Sequence, residues 1–70
     1  MRLLGQNLDD RIYLMETNAA ADPPLGIVFE ARLGEVVGIE LPVDSILARG
    51  YWVEFAGSPE ERAEIEASAG

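Results

Sequence analysis

The sequence predicts an α+β domain, with a small, mainly antiparallel sheet of four or five strands, one short internal helix and an acidic C-terminal helix. Apolar and polar residues alternate over residues 27–33 and 37–41, as in strands with one buried face. Clusters of glycine, asparagine, aspartate and proline separate the apolar segments. A helix-start pattern at residues 58–61 then opens the last segment. All 70 residues are expected to form a single domain.

The first part of the chain predicts two strands joined by a turn. Two apolar runs, at residues 3–4 and 12–15, flank residues 5–10, whose glycine, asparagine and aspartates favour a turn. Residues 17–26 are expected to form a loop, because its two adjacent prolines cannot donate hydrogen bonds to a strand ladder.

The alternating segments predict a central hairpin whose register depends on the turn. A strand is expected from Ile27 to Leu33. A two-residue turn would place Phe29 beside Glu40 and send the apolar sets to opposite faces. A three-residue loop at residues 34–36 pairs Phe29 with Leu41 and keeps one face apolar. The sequence therefore favours the three-residue loop or an equivalent bulge.

Residues 42–55 predict a short helix followed by a strand. The helix is expected within residues 42–50, since proline is tolerated in a first turn and glycine suits the end of a helix. Its apolar face is expected to contain Val43, Ile46 and Leu47. In the strand, residues 51–55, alternation turns Trp52 away from Phe55.

The strongest local sequence signal marks the start of the terminal helix. Ser58 can cap the helix, Pro59 suits the first helical position, and Glu61 stands where a capping box requires a carboxylate. The helix is expected to run to about Ser68. Its apolar content is confined to three alanines and Ile65, so it is expected to dock lightly, and deletion of residues 58–70 is expected to lower the melting point only modestly.

The charge balance favours a basic partner. Thirteen carboxylates oppose five basic residues, all arginines, which gives a net charge of −8. This charge repels phosphates and anionic lipids, so we expect no direct binding to nucleic acid or membrane, and it attracts a protein with a basic surface. The alternative is that the acidity only keeps the protein in solution.

The small size favours self-association. A chain of this length buries only about 60% of the surface that it exposes when unfolded. The sequence has no cysteine and no histidine, which removes disulfides and most metal sites as supplements to the core. A homodimer formed through the Trp52 face or a sheet edge is therefore expected.

With no apolar run of about 20 residues and no leader-like start, the protein is expected to be cytoplasmic.

Catalysis is not expected. Without histidine, cysteine or lysine, the chain lacks the usual bases and nucleophiles. Ser45 and Ser58 are interpreted as turn and cap residues, and Asp9 and Asp10 as a solvated turn that lacks the spacing of a calcium loop. We therefore predict a non-enzymatic protein without a cofactor or a metal.

Residues 34–55 contain a strand, Pro42, a short helix, Gly50 and a second strand. This order resembles in outline the swapped-hairpin DNA-binding domains of the AbrB class of transition-state regulators. The resemblance implies a swapped dimer as an alternative fold. It does not extend to DNA binding, because the stretch carries four carboxylates against Arg49 alone.

Two hypotheses of function follow, and their candidate partner-binding residues are Trp52, Glu54, Glu60, Glu61 and Glu64. In the first, the chain is a small acidic inhibitor or adaptor of bacterial or phage origin. The helix carboxylates would mimic nucleic-acid phosphates and engage a nucleic-acid-handling machine, as small acidic anti-CRISPR and anti-restriction proteins do. In the second, an accessory subunit assembles through an apolar face around Trp52, unless Ile65 of the terminal helix covers that side chain.

Overall fold

The computed structural model describes residues 1–7, 12–30 and 34–69. For residues 35–38, it describes the backbone but not the side chains. In chain order, its elements are β1 (Arg2–Asn7), β2 (Ile12–Asn18), β3 (Leu25–Glu30), β4 (Glu35–Pro42), α1 (Val43–Leu47), β5 (Trp52–Val53) and α2 (Pro59–Ala69). The strands form one antiparallel sheet in the order β4-β3-β2-β1-β5. The predicted α+β class is confirmed. Neither helix of these described residues has the length and apolar character needed to span a bilayer.

The main core lies on one face of the sheet, called here the α2 face. Leu3 pairs with Met15, and Met15 pairs with Ile27, so these three side chains form a row across β1, β2 and β3. They are buried together with Phe29, two residues further along β3. The residues that pack against this cluster from its edges are Tyr13, Phe55, Ile65 and Ala69. The last two belong to α2, which therefore covers the core.

The opposite face, called here the α1 face, is covered by α1. Leu14 is completely buried there, because it alternates with its neighbours in β2. A Cβ added to Gly26 would lie 3.1 Å from Val43 Cγ2 and 3.5 Å from Leu14 Cδ1, which shows how closely α1 approaches the sheet. Ile46 of α1 is also buried. The central strands are thus covered on both faces.

The predicted register of the central hairpin is wrong. Phe29 pairs with Val36 rather than with Leu41, which lies opposite Gly26 beyond a register shift. The described part of β3 runs to Glu30, and Gly34, with a φ of 65°, donates a backbone hydrogen bond to Glu30 O at 3.0 Å. Residues 31–33 of the predicted strand lie outside the described residues. The ladder also contains a register shift between Gly26 and Val28, in keeping with the predicted alternative of a bulge.

Several element ends also differ from the prediction. β1 extends to Asn7, into the predicted turn, and the loop after β2 is shorter than predicted because β2 continues to Asn18. The Asn18 Oδ1 accepts hydrogen bonds from the backbone N–H groups of Ala20 and Ala21, at 3.1 and 3.2 Å. This side chain, rather than the prolines, begins the turn.

The second half of the sheet is less regular than predicted. α1 is a single turn that directs Val43 and Ile46 to the sheet, so Leu47 remains 46% exposed instead of joining them. β5 contains two residues rather than five, and Tyr51 is 80% exposed. Trp52 and Phe55 nevertheless lie on opposite faces, as predicted: Phe55 packs on the α2 face, whereas Trp52 contacts α1.

The start of α2 is confirmed, and the helix buries no residue completely, as its low apolar content predicted. Ser58 and Glu61 form the capping box: Glu61 N donates to Ser58 Oγ at 3.1 Å, and Ser58 N donates to Glu61 Oε1 at 3.4 Å. Two charged side chains then bind the helix to β1. Arg62 Nη1 donates to Leu3 O at 2.5 Å, and Leu3 N donates to Glu66 Oε2 at 2.8 Å. The prediction of docking considered only the apolar residues of the helix, which do not indicate these two hydrogen bonds to Leu3.

Candidate functional site

A groove of about 390 Å³ lies between α2 and the sheet. We call it the α2 groove, and its lining residues are Tyr13, Phe29, Gly34, Glu61, Glu64, Ile65 and Ser68. Aromatic and aliphatic side chains thus meet two carboxylates in one concave surface. Such a combination of apolar walls and a few polar groups is typical of binding sites.

The helical side of the groove is a stripe on α2. Glu61, Glu64, Ile65 and Ser68 are spaced at i, i+3, i+4 and i+7, which places them on one face of a helix. Ile65 is half-buried at the centre of this stripe, whereas Glu61 and Glu64 are exposed. Ser68 Oγ donates to the Glu64 backbone oxygen at 3.0 Å, inside the last turns of the helix. The stripe therefore presents an apolar centre with negative charge beside it.

The sheet side of the groove consists of an aromatic pair. Tyr13 and Phe29 are direct partners in the β2–β3 ladder, so their side chains project from the same face side by side. Phe29 is 2% exposed, and Tyr13 is half-buried. The Tyr13 ring also meets Phe55 edge to face, with the ring centroids 6.2 Å apart and an interplanar angle of 68°. These contacts hold the tyrosine in place.

Arg62 lies on α2 but is not among the groove-lining residues. Its guanidinium carbon is 5.6 Å from the centre of the Phe55 ring, and its Nη1 donates to the Leu3 backbone oxygen. This arginine is therefore engaged with the core and with β1. The carboxylates of Glu61 and Glu64 give the groove a negative edge.

The structure brings together only part of the predicted partner-binding set. Glu61 and Glu64 line the groove, and Glu60 is exposed on the first turn of the same helix. Glu54 is exposed in the segment between β5 and α2. Trp52 lies apart from them, on the α1 face.

Trp52 occupies a half-buried position against α1. Its indole N–H donates to the Ile46 backbone oxygen at 3.1 Å, and a Cβ added to Gly50 would lie 3.1 Å from the same nitrogen. The alternative that Ile65 covers this tryptophan is wrong, because Ile65 packs on the opposite face of the sheet. The exposed apolar side chains near it in the chain are instead Leu47, Tyr51 and Val53.

Sequence reasoning missed the apolar half of the groove. The stripe formed by Glu61, Glu64, Ile65 and Ser68 was readable from its helical spacing, but Tyr13 and Phe29 join it only through long-range packing.

No protein-family model, curated protein or solved structure matches the chain. The site is therefore interpreted from its own chemistry, that of an apolar surface beside carboxylates, which suits a cationic group with an apolar stem.

Proposed function

We propose that this chain is a non-enzymatic protein-binding module, an inhibitor or adaptor that engages the basic surface of a partner. The α2 groove is the observation that carries the proposal, since it combines an apolar floor with two carboxylates on a chain of net charge −8. Apolar contact at the centre of an interface supplies affinity, and surrounding charge directs the encounter.

The partner proposed is a protein that handles nucleic acid. Such a protein has a basic surface that binds phosphates, and a negatively charged helix can compete for it. Glu60 adds a third exposed carboxylate to those of Glu61 and Glu64 within two turns of α2. The chain's own charge opposes direct binding to nucleic acid, so we propose that it acts on the protein.

Salt sensitivity tests this function. The immobilised chain is expected to capture a basic protein from its source cells at low salt and to release it as salt rises towards 1 M, where the screening length falls to about 3 Å. Trp52→Ala should capture the same protein, because Trp52 lies away from the groove. Quantitative mass spectrometry of each eluate provides the measurement. Retention of the captured protein in 1 M salt, together with its loss in Trp52→Ala, would contradict the proposal.

A second candidate function is that of an assembly subunit that binds through the α1 side of the molecule. The observation that favours it is the exposure of Tyr51, at 80%, and Leu47, at 46%, beside the turn that ends α1. Exposed aromatic and aliphatic side chains are common at the centres of interfaces.

The oligomeric state of the chain in solution tests this second candidate. If the surface around Tyr51 joins two copies, sedimentation at micromolar concentration should give about twice the monomer mass of 7.6 kDa, and high salt should not reduce it. Tyr51→Ser should restore the monomer without affecting the fold, because the side chain is largely exposed. A monomer at every concentration would exclude a homodimer.

A further inference from the structure

We propose that the α2 groove receives one arginine side chain of the basic partner, with its guanidinium against Tyr13 and between the carboxylates of Glu61 and Glu64. This inference rests on the proposed function and specifies what the groove recognises. It follows from the chemistry of the lining residues, from the contact that Arg62 of this chain makes with the Phe55 ring, and from the size of the groove.

The lining favours a guanidinium over an ammonium group. A guanidinium is planar and weakly hydrated, so it can lie against an aromatic ring while its N–H groups donate to carboxylates in its plane. The groove offers both surfaces, with Tyr13 on the sheet and Glu61 and Glu64 on the helix. The ammonium of lysine is more strongly hydrated and gains less from the apolar part of the groove.

The neighbouring contact of Arg62 shows the same chemistry within the molecule. Its guanidinium lies over the Phe55 ring at 5.6 Å, and Phe55 in turn packs edge to face on Tyr13. The two rings therefore form one aromatic unit, with Arg62 on the Phe55 side and the groove on the Tyr13 side. A second arginine against Tyr13 would extend an arrangement that the fold already contains.

The groove has room for an arginine side chain. Its volume of about 390 Å³ falls within the range of roughly 300 to 1,000 Å³ for sites that hold whole small molecules. The apolar stem of an arginine would cover Ile65, and its charged end would reach the exposed carboxylates beside it.

Three short peptides test the inference by nuclear magnetic resonance: alternating glycine and arginine, glycine and lysine, or glycine and citrulline, which is uncharged. At equal salt, the arginine peptide is expected to shift the signals of Tyr13, Ile65 and Ser68 and to bind at least about tenfold more tightly than the lysine peptide. The citrulline peptide should not bind.

A matched pair of variants separates the groove from general attraction to negative charge. Glu64→Gln and Glu60→Gln remove the same charge from exposed positions of α2, but only Glu64 lines the groove. Glu64→Gln should weaken arginine-peptide binding about tenfold and Glu60→Gln less than about twofold. Both variants should keep the circular dichroism spectrum of the wild type.

Failure of this inference differs from failure of the proposed function. If both cationic peptides bind equally and both variants weaken them equally, the arginine site is overturned, while binding to basic surfaces stands. If the groove signals shift with protein concentration alone, the occupant is a second copy of the chain, which also overturns the inference. If neither peptide binds and no basic protein is captured at low salt, the proposed function fails as well.

Discussion

A chain that ends at residue 57 is expected to be unfolded at room temperature. α2 supplies Ile65 and Ala69 to the cover of a core whose members Leu3 and Met15 are 1% and 0% exposed. Ile65 is half-buried, so the loss of its burial costs less than the about 1.5–3 kcal/mol of a fully buried side chain, and the uncovered core adds to this. A domain of this length has only about 4–10 kcal/mol of total stability. Circular dichroism and amide dispersion in a proton–nitrogen spectrum would measure the loss.

Two aspartate variants provide the control for this deletion. Ile65→Asp places a charge against the core and should reproduce most of the destabilisation. Ala67→Asp adds the same charge two residues later at an exposed position and should change stability by less than about 0.5 kcal/mol. A truncated chain that unfolds cooperatively near the melting point of the full chain would contradict the essential role of α2 and support the small contribution to stability predicted from the sequence.

Changing Glu60, Glu61 and Glu64 together to lysine is expected to weaken binding of the captured basic partner about 100-fold or more. Each change replaces attraction with repulsion at an exposed position of α2, and about 1.4 kcal/mol corresponds to each tenfold change in affinity. Most of the loss should appear as slower association, because exposed charges mainly direct the encounter. Surface plasmon resonance over a salt series would separate the two rates.

This variant needs controls for its fold and for total charge. Glu61 closes the capping box, and Glu60 and Glu61 lie at the positive end of the helix dipole, so lysines there cost some helix stability. The triple glutamine variant retains a capping side chain and should show a smaller loss of affinity. Reversal of Asp22, Glu40 and Asp44, which are exposed and do not line the groove, matches the change in net charge. If the lysine changes on α2 and the lysine changes at Asp22, Glu40 and Asp44 reduce partner affinity equally, a specific role for α2 is excluded.

Part of the candidate site was predictable from the sequence. Ser58, Pro59 and Glu61 determine where α2 begins, because capping depends on neighbours within one turn. Once this start is known, the spacing of Glu61, Glu64 and Ile65 places them on a common face. The aromatic floor was not predictable, because it requires knowing which face of the sheet the helix covers.

The sequence alone determined the features that depend on near neighbours. The α+β class, the placement of Trp52 and Phe55 on opposite faces and the start of α2 follow from periods of two or 3.6 residues and from local hydrogen bonds. The acidity of the chain and the absence of lysine, histidine and cysteine are likewise properties of the sequence, and they limit the chemistry available to it.

Only the tertiary structure decided how these elements meet. The register that places Phe29 opposite Val36, and the shift between Gly26 and Val28 that places Leu41 opposite Gly26, depend on pairing along the whole hairpin, which no local pattern specifies. The docking of α2 depends on Arg62 and Glu66 bonding to Leu3, about 60 residues away in the chain, so charged residues that resembled a solvated face instead hold the helix on the core. The groove exists because that docking sets Glu61 and Glu64 beside Tyr13. Contacts between distant residues are selected by the packing of the whole domain, and periodicity carries no information about them.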